Sequence, residues 1–345
     1  MNNSFISELK RFKTEIDSII SGSDFIQKMI PNGADSYILS YLQEFQKFSG
    51  GGKRIRAYLV SLGYALAAGQ YNPAILMPAL SYEVFQSGIL IHDDIIDESD
   101  TRRGMPTMHI TLGGNQTGVS KAICLGDIGL FAAVDLVARS DFDDALVRKA
   151  IMHQIKVFEL TGAGEIKDIE LADANTADEA RIVKMYRLKT SWYTIIGPMQ
   201  LGAILGGADD ILMQQIEQIG TAMGIAFQIV DDIIGIYGKS DVIGKSTLSD
   251  MQEGKKTVLS AHFFAHASKK QADALNAVYG IRESGAEELK TVRALFNETG
   301  SYDYANALCR KYADDAANVI EQMQIDEKFR GILHSFLDYL CGRDV

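Results

Sequence analysis

Apolar residues recur at three- and four-residue spacing along almost the whole chain, and the strict alternation that half-buried strands require is scarce. Five prolines in 345 residues leave room for long uninterrupted helices. The pattern predicts an all-α protein. Glycine-rich breaks at 50–52, 113–114, 206–207 and 238–244 read as helix connections or caps, because amphipathic sequence resumes within a few residues on either side. No shift in composition marks a boundary, so residues 1–345 are expected to form one domain. The longest apolar stretch, 119–138, is interrupted by Lys121, Asp127 and Asp135, which argues against a membrane span and predicts a buried central helix.

Two apolar runs end in carboxylates: Asp93-Asp94-Ile95-Ile96-Asp97 and Asp231-Asp232-Ile233-Ile234-Gly235. On a helix Asp93 and Asp97 stand one turn apart on the same face and repel each other unless a cation intervenes. A lone Asp pair could simply be a solvated helix end. These pairs, however, emerge from apolar sequence, where charge needs a partner. Mg2+ suits such a place, being held by one or two carboxylates together with substrate phosphates and water. Cations for phosphate are also present. Gly50-Gly51-Gly52-Lys53-Arg54-Ile55-Arg56 sets flexible backbone before a helix opening with three cations, and Arg102-Arg103-Gly104 follows the first Asp segment. Lys189-Thr190, Lys245 and Lys255-Lys256 add cations in the second half, enough for two anionic ligands. The Gly-x4-Gly-Lys-Ser/Thr spacing of a phosphate-binding P-loop is absent.

Composition narrows the partners. With 34 basic against 45 acidic residues the net charge is −11, which disfavours nucleic acid and makes any phosphate affinity local. A hydrophobic content of 47% is ample for a core. Cys124, Cys309 and Cys341 lack metal-ligand spacing and are too few for a disulfide framework, so a reducing cytoplasm is expected. The first residues carry no apolar core of signal-peptide length, and no export is implied. His109, His153, His262, His266 and His334 are scattered and read as structural, while His92 adjoins the first Asp segment.

Taken in order, Gly-Gly-Lys-Arg-x-Arg, Asp-Asp-x-x-Asp-x4-Arg-Arg-Gly, Lys-Thr, Phe-Gln-x-x-Asp-Asp, Gly-Lys-Ser and Glu-Gly-Lys-Lys-Thr resemble the trans-isoprenyl diphosphate synthases. The likeness spans about 50 to 257. It implies an isoprenoid-synthase helical bundle around a deep cavity, usually a homodimer. It further implies that Asp93 and Asp97 bind two Mg2+ ions and Asp231 a third, with Asp94 and Asp232 as auxiliary carboxylates. Arg102, Lys189, Lys245 and Lys255 would hold the allylic diphosphate, and the Thr190 and Gln228 oxygens would face the allylic cation formed when its C–O bond breaks. Isopentenyl diphosphate would sit against Lys53, Arg56, Gln86 and Arg103, and its double bond would attack that cation head to tail. The departing diphosphate would take the proton, so no protein base is called for.

Two departures from the family pattern matter. Gly235 stands where most relatives carry a fifth-position Asp, and weakened metal binding is expected. Glu165 replaces a Gln, with Asp168 retained as a group that could order metal-bound water. By resemblance, product length is set by Gly88 and Ile89, which face down the tunnel below the allylic site. Gly88 would leave another turn open, about 5 Å of helix, with Phe85 as the floor. Geranylgeranyl diphosphate is the expected product, with C25 or longer the alternative. Two other readings compete: a catalytically weak subunit regulating a partner synthase, and a terpene cyclase, whose Asn/Asp-x-x-Ser/Thr-x-x-x-Glu segment this chain lacks.

Overall fold

A computed structural model describes residues 4–30, 33, 35–172, 178–238 and 248–342. The chain is all-α. Its helices are α1 (Ser4–Ser21), α2 (Asp24–Met29), α3 (Ile38–Phe48), α4 (Ile55–Ala68), α5 (Leu76–Ile96) and α6 (Met108–Thr111). There follow α7 (Gln116–Ala138), α8 (Asp144–Ala172), α9 (Glu179–Tyr186), a π-helical segment (Arg187–Ile196), α10 (Gly197–Leu205) and α11 (Asp210–Tyr237). The C-terminal set is α12 (Ser249–Gln252), α13 (Val258–His266), α14 (Lys269–Asn276), α15 (Ala286–Glu298), α16 (Ser301–Gln322) and α17 (Glu327–Cys341). Among the described residues the only strands are the two-residue pair β1 (Thr101–Arg102) and β2 (Met105–Pro106), antiparallel, with Arg102 opposite Met105.

Contacts divide the chain into two compact units: Met1–Lys156 with Gly197–Met213, and Val157–Ile196 with Gln214–Val345. In the first, α4 packs on α10 at backbone distance. A Cβ built on Gly63 would overlap the Met199 carbonyl oxygen, and one on Gly202 would lie 2.8 Å from the Val60 carbonyl carbon. Only glycine permits such an approach. Helix α5 meets α7 in the same way through Gly88, Gly126 and Gly129. In the second unit, Ile225, Ile229, Ile233 and Ile236 of α11 pack with Val258, Leu259 and Phe263 of α13 and with Val292 and Phe296 of α15. Burying each of these side chains contributes about 1.5–3 kcal/mol.

Two sequence expectations need correction here. Residues 119–138 do not form a buried helix: α7 keeps an outward face, with Phe131 at 77% exposure and Ile123 also exposed. Three- to four-residue spacing reports one buried face, and a long apolar run conceals that the other is open. Gly88 does not open a tunnel either. A side chain there would meet the Gly126 carbonyl oxygen at 2.9 Å and Leu130 at 3.1 Å, so the glycine serves helix packing. Two helical stretches, Pro73–Ile96 and Asp210–Tyr237, are long and apolar enough to cross a membrane, but 67% and 72% of their most apolar windows are buried, as in core helices.

Candidate active site

The first Asp segment occupies the last turn of α5, where the Asp97 N–H donates to the Asp93 carbonyl (2.9 Å). The negative end of the helix dipole lies here, so three added carboxylates raise the demand for cations. The hairpin supplies one. Arg103 and Gly104 both take positive φ (53° and 74°), as the central pair of a tight two-residue hairpin requires, and the chain doubles back on α5. Arg102 then reaches the helix end: its Nε donates to Asp94 Oδ1 (2.7 Å) and a terminal nitrogen to Asp93 Oδ2 (3.0 Å). Asp94 is buried, Asp93 half-buried and Asp97 exposed, so the two outer carboxylates are the accessible ones.

The basic loop is more differentiated than its sequence suggests. Lys53 and Arg54 precede α4, and only Arg56 lies on its first turn. Arg54 is 4% exposed, with its guanidinium on Asp17 Oδ1 (2.7 Å) and Glu83 Oε2 (3.1 Å). It therefore anchors the loop and is not available to a ligand. Glu83 Oε1 also accepts the Ala57 N–H (3.2 Å) at the positive end of α4. Lys53 is exposed and Arg56 half-buried, and Arg103 leans back to the Gly50 carbonyl (3.2 Å). Partial burial, then the neighbouring Arg102 and Arg54 and, more weakly, Arg56, lower the Arg103 pKa, so these guanidiniums share one electropositive region. Gln86 lies two turns before Asp93 on the same face of α5 and is half-buried. The structure thus brings Asp93, Arg102, Arg103 and Arg56 into one neighbourhood of the first unit. Phe85 is fully buried and Ile89 half-buried.

In the second unit Lys189 and Thr190 sit on the π-helical segment, and π turns concentrate at functional sites. Glycines let this segment approach its neighbours: a Cβ on Gly164 of α8 would overlap the Lys189 backbone, and one on Gly224 of α11 would overlap Ser191. Lys189 Nζ lies between Asp168 (2.6 Å) and Glu165 (2.8 Å). Thr190 donates to Gln228 Oε1 (2.6 Å), Gln228 Nε2 donates to Asp232 Oδ1 (3.0 Å), and Tyr186 donates to Asp232 Oδ2 while accepting the Val258 N–H (3.2 Å). With its proton committed to Gln228, Thr190 has only lone pairs to offer elsewhere. Burial pushes the Asp232 carboxyl up to about 7, against the opposing pull of Lys255. Lys255 is held firmly protonated by Asp250, which outweighs burial, with Asp232 and Asp168 adding to it. Asp168, Tyr186, Lys189, Gln228, Lys255 and Thr257 line a small cavity of about 70 Å³. Asp231 stands half-buried on α11, and Lys245 lies outside the described residues.

Among the described residues no group of three or more His, Cys, Asp or Glu side chains forms a ready metal cage. The donor set nonetheless fits Mg2+, which takes few protein carboxylates and completes its shell with phosphate and water. Sequence reasoning missed Tyr186, whose hydroxyl meets a carboxylate 46 positions away, and Asp250, which no Asp-rich spacing marks. The histidines other than His92 are structural where their partners are seen. His153 donates to the Gly197 carbonyl (3.3 Å), and His109 meets the Thr107 hydroxyl (3.3 Å).

The polyprenyl synthetase family model matches residues 40–296. A geranylgeranyl diphosphate synthase of Saccharolobus solfataricus is 30% identical over 286 residues, covering 82% of this chain and 84% of its own. A geranylfarnesyl diphosphate synthase of Aeropyrum pernix is 28% identical over 324 residues, covering 90% and 98%. Among solved structures, geranylgeranyl pyrophosphate synthase from Corynebacterium glutamicum, complexed with isoprenyl diphosphate and magnesium, superposes with a TM-score of 0.86 at 26% identity. That match covers 100% of both chains.

Proposed function

The chain belongs to the polyprenyl synthetase family as a trans-prenyltransferase making short-chain prenyl diphosphates, and from that premise we propose a magnesium-dependent synthase whose product is geranylgeranyl diphosphate. Lys53, Arg56, Gln86 and Arg103 bind isopentenyl diphosphate. Arg102, Lys189, Lys245 and Lys255 bind the allylic diphosphate and stabilise its charge as it leaves with the C–O electron pair. Asp93 and Asp97 take two Mg2+ ions and Asp231 a third, and the metal, when bound, neutralises charge on the leaving group. The isopentenyl double bond attacks the allylic carbon, and the proton lost afterwards goes to the departing diphosphate.

The observation that carries this reading is the commitment of Thr190 to Gln228 and of Gln228 to Asp232, next to Lys189. Neutral oxygens that keep lone pairs can stabilise a carbocation without trapping it. The test is to incubate the protein with isopentenyl diphosphate and allylic primers of C5 to C20, with and without Mg2+, and to size the products. A C20 product that disappears on chelation is expected. Failure with every primer would sink the catalytic assignment and favour the regulatory subunit, and a cyclic hydrocarbon would favour the cyclase. The fully buried Phe85 is the chain-length determinant in this reading, assisted by Ile89. Phe85→Ala should lengthen the product, and unchanged length would eliminate it.

A homodimer accounts for apolar side chains left outward on two helices: Ile123 and Phe131 on α7, and Met152, Ile155, Ile166 and Ile169 on α8. The cytoplasm is the proposed compartment, in keeping with three free thiols.

A further inference from the structure

Gly235 leaves the second Asp segment without its last carboxylate, but the space is not empty. A Cβ built on Gly235 would lie 2.9 Å from Asp250 Cγ and overlap Asp250 Oδ2. Gly235 follows Asp231 by one helical turn, so the two share a face of α11, with Cβ positions about 5–6 Å apart. A carboxylate oxygen from α12 therefore stands where a side chain at 235 would begin. It is held there from several directions. Asp250 Oδ1 lies 3.4 Å from Lys255 Nζ, and the Asp250 carbonyl accepts the Lys255 N–H (3.1 Å). The intervening turn closes through Gly254 at φ 66°, and the neighbouring Met251 carbonyl accepts the Gly280 N–H (2.8 Å).

We propose that Asp250 supplies the carboxylate that the second Asp segment lacks, positioning the divalent cation and diphosphate held by Asp231, and that Gly235 is required so that Asp250 can occupy this place. The inference rests on the metal-dependent reading of Asp231. Expectations for Gly235 reverse accordingly: restoring Asp at 235 would displace Asp250 and would not improve the site.

The test uses the full chain and calorimetric titration of Mg2+ in the presence of inorganic pyrophosphate, alongside product formation and thermal unfolding. Asp250→Asn and Asp250→Ala should each weaken Mg2+-dependent pyrophosphate binding about tenfold or more, the loss expected when a charged partner is removed. Gly235→Ala should weaken it similarly by displacing Asp250, although alanine favours a helix over glycine. The exchange variant, Gly235→Asp with Asp250→Ala, should recover binding to within about threefold, because the charge returns to the same face. Binding by the folded Asp250 variants that equals the parent's, or an exchange variant no better than Asp250→Ala, would overturn the proposal. Asp231→Ala separates the two levels. If it too binds like the parent, the metal reading of this segment fails; if only Asp231 matters, the role of Asp250 alone fails.

Discussion

Thr190 shows how little a residue's identity says without its partner. Its hydroxyl proton goes to Gln228, whose amide is oriented in turn by Asp232 and Tyr186. Thr190→Val removes the lone pairs but keeps the shape, and it should lower kcat about tenfold, the worth of one neutral hydrogen-bond-strength interaction in the transition state. The KM for isopentenyl diphosphate should stay unchanged; a KM effect alone would assign Thr190 to binding. His153 carries a different expectation. Burial pushes its pKa down to about 4 from 6.5, so between those values the unfolded chain takes up a proton that the folded chain refuses. Stability should then fall as pH falls from 6.5 towards 4, by at most about 3 kcal/mol, and be insensitive to this group above 6.5. Urea midpoints across that range should flatten in His153→Gln, and equal slopes for both proteins would remove His153 as the cause. The pairing of Arg102 with Asp93 and Asp94 was foreshadowed in the sequence, where a basic pair follows the acidic residues that end an apolar run. Arg54 stands in the sequence as one of three loop cations, and only the fold sets it apart, since its partners Asp17 and Glu83 lie 37 and 29 residues away and no local pattern joins them.

Helices, as elements, were announced by their hydrophobic period, but their closeness to one another was not. The α4–α10 and α5–α7 crossings depend on glycines that in sequence look like weak points of a helix. Gly202→Ala sets a methyl against the Val60 backbone, which cannot swing aside, and should cost about 3 kcal/mol. For a chain of this size that is roughly 4 °C in thermal midpoint. Gly162→Ala is the contrast, because nothing lies within 4 Å of its added Cβ. It should be neutral or raise stability by up to about 1 kcal/mol. A Gly202→Ala protein that melts with the parent would show that the crossing relaxes freely. The π-helical turn carrying Lys189 and Thr190 was invisible for another reason: its apolar residues keep a helical rhythm, while the close approach of its neighbours depends on Gly164 and Gly224 elsewhere in the chain.

At the level of the whole molecule, the family was legible from the order of the motifs, since carboxylates and cations follow one another along the chain in a fixed sequence. The outward face of α7 was not, because exposed apolar residues read like core in a sequence. If the proposed homodimer forms through this face, Phe131→Glu should convert it into monomers by sedimentation velocity, and a parent protein already monomeric would discard the interface.

Arg54 and Arg103 both sit in the left-handed backbone region, at φ 62° and 53°, where a side chain costs roughly 1–2 kcal/mol. Arg54 recovers that cost through the buried Glu83 and the half-buried Asp17, whereas Arg103 has a carbonyl contact and fellow cations around it. Selection for heat resistance alone should therefore drift towards glycine or asparagine at 103, trading substrate grip for a more robust fold. Variants found by such a screen should melt later and saturate with isopentenyl diphosphate more poorly, so that thermal tolerance and turnover at low substrate would have to be selected together.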